Sequence, residues 1–273
     1  MHQQFDTPDP VELVLELGSG SATITAIETS QSTVEISGPR AEEFTVELEG
    51  RRLTVLAPRH GVRIFGGNDS HQVTVTLPTG SDLTTRTGSA DVDATGRLGA
   101  VRSKSGSGQV EIEDAEGSVV IDTGSGDVSC GSVGDALRVR TGSGEVEVGQ
   151  VGGSAAVSTG SGDVALGRTT ETTVVKTGSG SGTVQRSSGQ LTLKTGSGSL
   201  TVGHAERGSI RASTSSGDVR VGVPAGTPVW TDISCASGRI RSDLPSLGKP
   251  EDGQDHVELR IRTASGDITL AQV

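Results

Sequence analysis

A six-residue block, Thr123-Gly124-Ser125-Gly126-Asp127-Val128, returns at Thr141 and Thr159 with an acid again in fifth place, and at Thr177 and Thr195 with altered endings. Each start lies eighteen residues after the last, and Ser105 and Thr87 carry the register two units further toward the N-terminus. A unit this short cannot bury its own apolar face, so a fixed period of this kind requires copies stacked on one another. Residues 81–273 are therefore expected to form a repeat solenoid.

Numbering each unit from its threonine exposes the strands. Position 6 holds Val92, Val110, Val128, Val146, Val164 and Leu200, and position 8 holds Ile112, Cys130, Val148, Leu166, Val184 and Val202. Positions 15 and 17 hold Val119 and Ile121, Leu137 and Val139, Ala155 and Val157, Leu191 and Leu193. Alternation with period two marks strands with one buried face, so each coil has at least two strands joined by Gly-Ser turns. Stacking brings like residues to about 4.8 Å and turns the columns into aliphatic ladders. Such a core needs few aromatics, and the chain has three Phe, one Trp and no Tyr. Only 31% of residues are hydrophobic, which would leave a chain disordered if they were scattered; here they recur in phase. The expected fold is all-β, a single-stranded β-solenoid (parallel β-helix) with 18-residue coils, in one elongated stack. The pattern leaves its handedness open.

Residues 1–80 depart from the period. The runs VELVLEL, ATITAI, TVEIS, FTVELE, LTVLAP and VTVTLP alternate but vary in spacing, Glu49-Gly50-Arg51 has the character of a hairpin turn, and Leu17-Gly18-Ser19-Gly20 is a degenerate copy of the repeat. This region is expected to be a first coil with an inserted hairpin that caps the stack, continuous with 81–273 in one domain. Toward the other end the register slips before Thr214 and again before Ser237 and Ser265, and 245–255, with Gly248, Pro250 and Gly253, has the composition of a protruding loop. The final strand, around Asp267–Ala271, is expected to be an open edge able to pair with another molecule.

The serial TGSGDV and SSGDV units, VTVTLPTGSDLTTRTGSADV at 73–92, VRVGVPAGTPVWTDISCASGRI at 219–240 and RTASGDITL at 262–270 resemble the toastrack family of bacterial adhesin-like β-strand-repeat domains. The resemblance covers nearly the whole chain and implies a β-solenoid. It also implies work beside membrane-anchoring or envelope-stress modules, and it brings no agreed activity, cofactor or catalytic residue.

The chemistry-bearing residues support no reaction. The sequence lacks G-x-S-x-G, G-x-G-x-x-G and the phosphate-binding G-x-x-x-x-G-K-[ST]. His2, His60, His71, His204 and His256 have no spacing that converges on zinc, and each is expected at the surface. A calcium β-roll needs G-G-x-G-x-D, whereas here the acid opens a strand. The threonine ladder shares the parity of positions 15 and 17, so it should face inward rather than bind ice. No cofactor, metal or catalytic residue is expected. The leading expectation is a non-enzymatic scaffold or interaction protein in cell-envelope or membrane-stress assemblies. The alternatives are a polysaccharide-acting β-helix enzyme and a filament-forming solenoid.

Charge supplies the candidate sites. A net charge of -11 opposes nucleic-acid binding, which draws its affinity from a basic footprint. Outward positions of one strand carry Asp127, Glu145, Glu147 and Asp163 as an acidic face. Outward positions of the other carry Arg102, Lys104, Arg138, Arg140, Lys176, Lys194, Arg211, Arg260 and Arg262 as a basic strip. Like charges stacked between coils repel, so neither row is expected to serve stability. The strip suits an anionic polymer or lipid surface, and the other expected partners are a protein or the end of a second copy. Without a signal-like segment or an apolar run of about 20 residues, the expected location is the cytoplasm, with membrane association through partners. Cys130 falls in an apolar column and should be inert, Cys235 lies too many rungs away to pair with it, and Trp230 is expected to plug a widened coil.

Overall fold

The computed structural model describes residues 1–58, 70–245 and 256–273, which form two compact units, Met1–Gly134 and Asp135–Val273. Each unit is a β-solenoid whose two sheets enclose an aliphatic core. The first contains β1 (His2–Asp6), β2 (Glu12–Leu17), β3 (Gly20–Ile27), β4 (Gln31–Ser37), a 3-10 turn (Ala41–Glu43), β5 (Thr45–Glu49) and β6 (Arg52–Leu56). It continues with β7 (His71–Pro78), β8 (Asp82–Thr87), β9 (Asp91–Leu98), β10 (Val101–Ser105), β11 (Val110–Ala115), β12 (Val119–Thr123) and β13 (Val128–Val133). One sheet is ordered β1-β4-β7-β3-β9-β11-β13 and the other β5-β6-β2-β8-β10-β12. Regular coils pair in parallel at the sequence period, Val110 with Val128 and Val101 with Val119.

The insertion in this unit is built as the turn chemistry implies. β5 and β6 form an antiparallel hairpin around Gly50, which adopts φ 60, a left-handed conformation that glycine takes without steric cost. β6 adds in parallel to β2 and β7 to β3, while β4 and β1 extend the β3/β7 sheet antiparallel. Ala41, Phe44 and Val46 are buried over the core. Phe44 meets the His71 ring edge-on at 5.0 Å, and His71 Nε2 lies 2.8 Å from the Pro39 carbonyl oxygen. His71 is therefore buried rather than at the surface, because the insertion folds over it. His60 lies outside the described residues.

The second unit contains β14 (Leu137–Thr141), β15 (Val146–Val151), β16 (Ala155–Thr159), β17 (Val164–Thr169), β18 (Thr173–Thr177), β19 (Gly182–Ser187) and β20 (Leu191–Ser197). It continues with β21 (Leu200–Ala205), β22 (Gly208–Ser216), β23 (Val219–Val223), β24 (Val229–Ser237), β25 (Ile240–Ser242), β26 (Val257–Ser265) and β27 (Ile268–Gln272). The sheets are ordered β15-β17-β19-β21-β23-β27-β25 and β14-β16-β18-β20-β22-β26-β24.

The corners explain the repeated block. Each threonine is buried, and in four of them Oγ1 accepts the N–H of the glycine three residues on: Gly126 to Thr123 at 3.1 Å, Gly144 to Thr141 at 2.9 Å, Gly162 to Thr159 at 3.0 Å, Gly180 to Thr177 at 2.9 Å. The same hydroxyls of Thr177 and Thr195 donate to the carbonyls of Gly162 and Gly180 one coil back, at 3.2 and 2.9 Å. The second glycine of the block is required by close packing of backbones. A Cβ on Gly162 would collide with the Gly144 carbonyl oxygen.

The last two coils are exchanged in space. Thr214 lies opposite Thr263, and Thr263 opposite Cys235, so β26 and β27 occupy the slot between β22/β23 and β24/β25. The open edge is therefore β24 and β25, not the final strand, which is paired on both sides. Apolar content gives the physical reason: Val257, Leu259, Ile261, Ile268 and Leu270 are all buried, whereas the corresponding positions of β24 and β25 are Val229, Thr231, Ile233, Ile240 and Ser242. The more apolar coil takes the interior slot. Of the expected loop at 245–255, Pro245 is exposed and residues 246–255 lie outside the described residues.

Candidate functional site

Parallel pairing in register dictates which outward side chains become neighbours. On the second unit, β14 presents Arg138 and Arg140, but β16 next to it presents Ala156 and Ser158. Beyond this gap come Lys176 on β18, Lys194 on β20, Arg211 on β22, and Arg260 with Arg262 on β26. The structure thus gathers Lys176, Lys194, Arg211, Arg260 and Arg262 into one patch and sets Arg138 and Arg140 apart from it. Lys194, Arg211, Ser213, Arg260 and Arg262 line a shallow depression in that patch.

Two members of the patch are held. Arg260 Nη2 donates to Glu258 Oε1 at 2.7 Å, and its guanidinium carbon lies 5.7 Å from the Trp230 ring centroid, within cation–π range. Arg262 approaches the Asp232 carboxylate at 4.0 Å. Lys176, Lys194 and Arg211 are exposed and have no hydrogen-bond or ion-pair partner among the described residues. Trp230 is 51% exposed, which corrects the expectation that it plugs a coil. The pairing Trp230 with Glu258 places its side chain on the outer face of the edge strand β24, where no further strand of the described residues packs.

Arg102 and Lys104 belong to the first unit and a different environment. They project from β10, and Lys104 lies between Arg86 on β8 and Asp122 on β12. On the same face Arg86 pairs with Glu16 at 2.8 Å and Arg52 with Glu12 at 2.9 Å. Signs alternate there, so this part of the strip is not a uniformly basic surface.

The acidic columns do structural work that the charge pattern conceals. Asp163 Oδ1 accepts the Ser181 N–H at 2.7 Å, and Asp91 Oδ1 accepts the Gln109 N–H at 2.9 Å, in each case one coil further on. Asp218 and Asp267 do the same for Asp267 and Arg239, both at 2.9 Å. Asp127 and Glu145, in the same position of the repeat, are also engaged. Asp91, Asp163, Asp218 and Asp267 thus satisfy backbone donors at the corner, which offsets the repulsion between rungs. Glu147, two residues on, is exposed.

Sequence reasoning missed a second basic column. Arg168 on β17, Arg186 on β19 and His204 on β21 are register partners. Their spacing repeats the eighteen-residue period, so they were visible in the sequence at position 10. Among the described residues no group of three or more His, Cys, Asp or Glu is placed to hold a metal ion. Cys130 is buried, and burial pushes its thiol pKa up to about 12. Cys235 is half-buried, and both cysteines are free.

The family model described as Toastrack DUF4097 matches residues 11–184 and 167–271. No curated protein matches the chain. Among solved structures, a "putative lipid binding protein" from Parabacteroides distasonis is 14% identical, with 98% of this chain and 96% of that one covered and a TM-score of 0.43. A "putative adhesin" from Parabacteroides merdae is 12% identical, with coverage of 98% and 95% and a TM-score of 0.42. Another from Bacteroides fragilis is 11% identical, with coverage of 99% and 96% and a TM-score of 0.34.

Proposed function

The chain belongs to the Toastrack DUF4097 family, and from that premise we propose that it is a non-enzymatic β-solenoid scaffold that docks an anionic surface through the cationic patch of its second unit. The observation that carries this reading is that Lys176, Lys194 and Arg211 stand exposed without a partner among the described residues, in a chain of net charge -11. Ser158 occupies the Lys176 and Lys194 column one or two rungs away, and Thr192 and Val174 occupy the Arg211 column one or two rungs away, so the fold itself does not call for cations there. Solubility would be served by mixed signs, as on β2, β6 and β8. Unpaired cations on neighbouring strands repel one another, and a ligand with repeated phosphates or carboxylates relieves that repulsion. A flat strip of lysine and arginine suits an extended anionic surface better than a small enclosed ligand.

The setting consistent with family resemblance is a cell-envelope or membrane-stress assembly, reached from the cytoplasmic side. No helix of the described residues is long and apolar enough to cross a membrane, so contact with a bilayer would be made by this surface or through partners. The test is cosedimentation of the full chain with vesicles of anionic or neutral phospholipid across a salt series, beside a soluble-polyphosphate arm that separates lipid from polymer. Binding should require anionic ligand and weaken with salt. Each cation near an anionic surface contributes about 1 kcal/mol, so the triple variant K176E/K194E/R211E should lose roughly a hundredfold or more in affinity. Equal binding by that variant, or by neutral vesicles, would sink the proposal.

A further inference from the structure

Among the described residues, nothing covers the end of the stack in the second unit. β24 and β25 are the outermost strands of their sheets, and the inward positions of this last coil are not sealed. Their partners one rung in, Val257, Leu259, Ile261 and Ile268, are fully buried. On the outer rung Val229 and Ile233 are only half-buried, Thr231 is exposed and Ile240 is 49% exposed. The interior of the solenoid thus reaches its end face between two edge strands with open backbone groups. β24 is nine residues long with Asp232 as its one charge, and it has neither lysine nor proline, the residues that usually protect an edge.

The edge of the first unit is managed differently. There the outermost strands run antiparallel to their neighbours, β5 carries Glu47 and Glu49 with its own Val46 turned inward and buried, and Ala41 and Phe44 just before it are buried as well. A stack normally needs a terminal repeat modified to be polar; β1 and β5 fit that description, and β24 and β25 do not.

We propose that the β24/β25 end pairs with the same end of a second copy in a closed two-fold dimer. The geometry selects this occupant. A partner covering the end must offer two strands at the separation of the two sheets, with an apolar row between them, and the identical end of another copy does so. A two-fold axis normal to the sheets joins β24 to β24 and β25 to β25 antiparallel at once. Because side chains alternate with period two, that pairing sets inward columns against inward columns. An isologous contact of this kind closes on itself. Head-to-tail growth is opposed because the protected first-unit edge presents acids and antiparallel strands, so filaments are not expected. The inference does not depend on the cationic patch.

The test is multi-angle light scattering and sedimentation of the full chain over a concentration series. The expected mass is twice the 27.6 kDa of the chain, falling toward monomer on dilution. Thr231→Lys and Ile240→Lys place charge at two positions already exposed, so each should shift the monomer–dimer equilibrium at least tenfold toward monomer with an unchanged melting temperature. Glu47→Lys and the patch variant K176E/K194E/R211E should leave the dimer intact, which separates failure here from failure of the docking surface. A monomer at all concentrations would overturn the proposal, even if its β24 amides were protected from hydrogen exchange, since the edge would then be covered within the chain. Growth into filaments, or a dimer indifferent to both lysine variants, would overturn it equally.

Discussion

The hydroxyl of Thr177 makes two hydrogen bonds that tie one corner to the next, accepting from Gly180 N–H and donating to the Gly162 carbonyl. Four residues earlier, Thr173 occupies a column held elsewhere by Val119, Leu137 and Leu191, and its Oγ1 is buried without a partner among the described residues. These two threonines should respond oppositely to the same near-isosteric change. Thr177→Val leaves a buried N–H unsatisfied and should cost about 1–3 kcal/mol, while Thr177→Ser retains most of the stability. Thr173→Val removes an unpaired buried hydroxyl and should stabilise by about 1 kcal/mol. Urea denaturation of the three variants checks both signs, and destabilisation by Thr173→Val would show that its hydroxyl has a partner after all. Parity alone predicted that these threonines face inward. The bonds of Thr177 to glycine could not be read from the sequence, since they depend on the distance between successive backbones, and neither could the burial of His71 under Phe44, which depends on how the insertion folds.

At the scale of the element, each strand meets its neighbour at the period of the repeat, so one side chain can serve the backbone of the next coil. Asp163 does this for Ser181, whereas Glu147, on the same outer face, stands exposed. Asp163→Ala should therefore cost about 1–2 kcal/mol by orphaning a donor, Asp163→Asn much less, and Glu147→Ala under about 0.5 kcal/mol as an ordinary surface change. Thermal unfolding of the set tests whether the acidic column is structural; equal melting temperatures for Asp163→Ala and Glu147→Ala would refute it. The column positions of strands were legible because period-two alternation and the eighteen-residue repeat agree from Val92 to Val202. Strand order beyond β22 was not. Thr214, Cys235 and Thr263 occupy equivalent places, and nothing in their spacing reveals that the third is inserted between the first two. That order is set by competition between coils for the buried slot, a tertiary effect invisible to local pattern. The basic strip was legible residue by residue, but its division into a free patch, a separate Arg138/Arg140 pair and a charge-compensated segment around Lys104 depends on which neutral or acidic residue each register partner supplies.

For the whole molecule, the consequence of a nearly constant period is that stability is assembled rung by rung, each coil bonding mainly to the two beside it. Such a stack should tolerate loss of a complete rung and not of part of one. Removing 160–177 from the second unit joins Thr159 to Gly178 and deletes β17 and β18 together, after which β16 meets β20 and β15 meets β19 with every column in phase. Val146 then faces Gly182 and Val157 faces Leu193 on the inner side, so no inward position receives a charge. Removing only 160–168 leaves half a coil, moves every later strand to the wrong sheet and sets corner glycines against strand residues. The eighteen-residue deletion is expected to keep its β-sheet circular dichroism and a cooperative melt at a reduced temperature, because one rung and one interface are lost while the remainder are re-formed. The nine-residue deletion is expected to aggregate or lose cooperativity. If both deletions melted alike, the coils would not be interchangeable units, and the repeat would be only a sequence pattern laid over a core that depends on distant contacts.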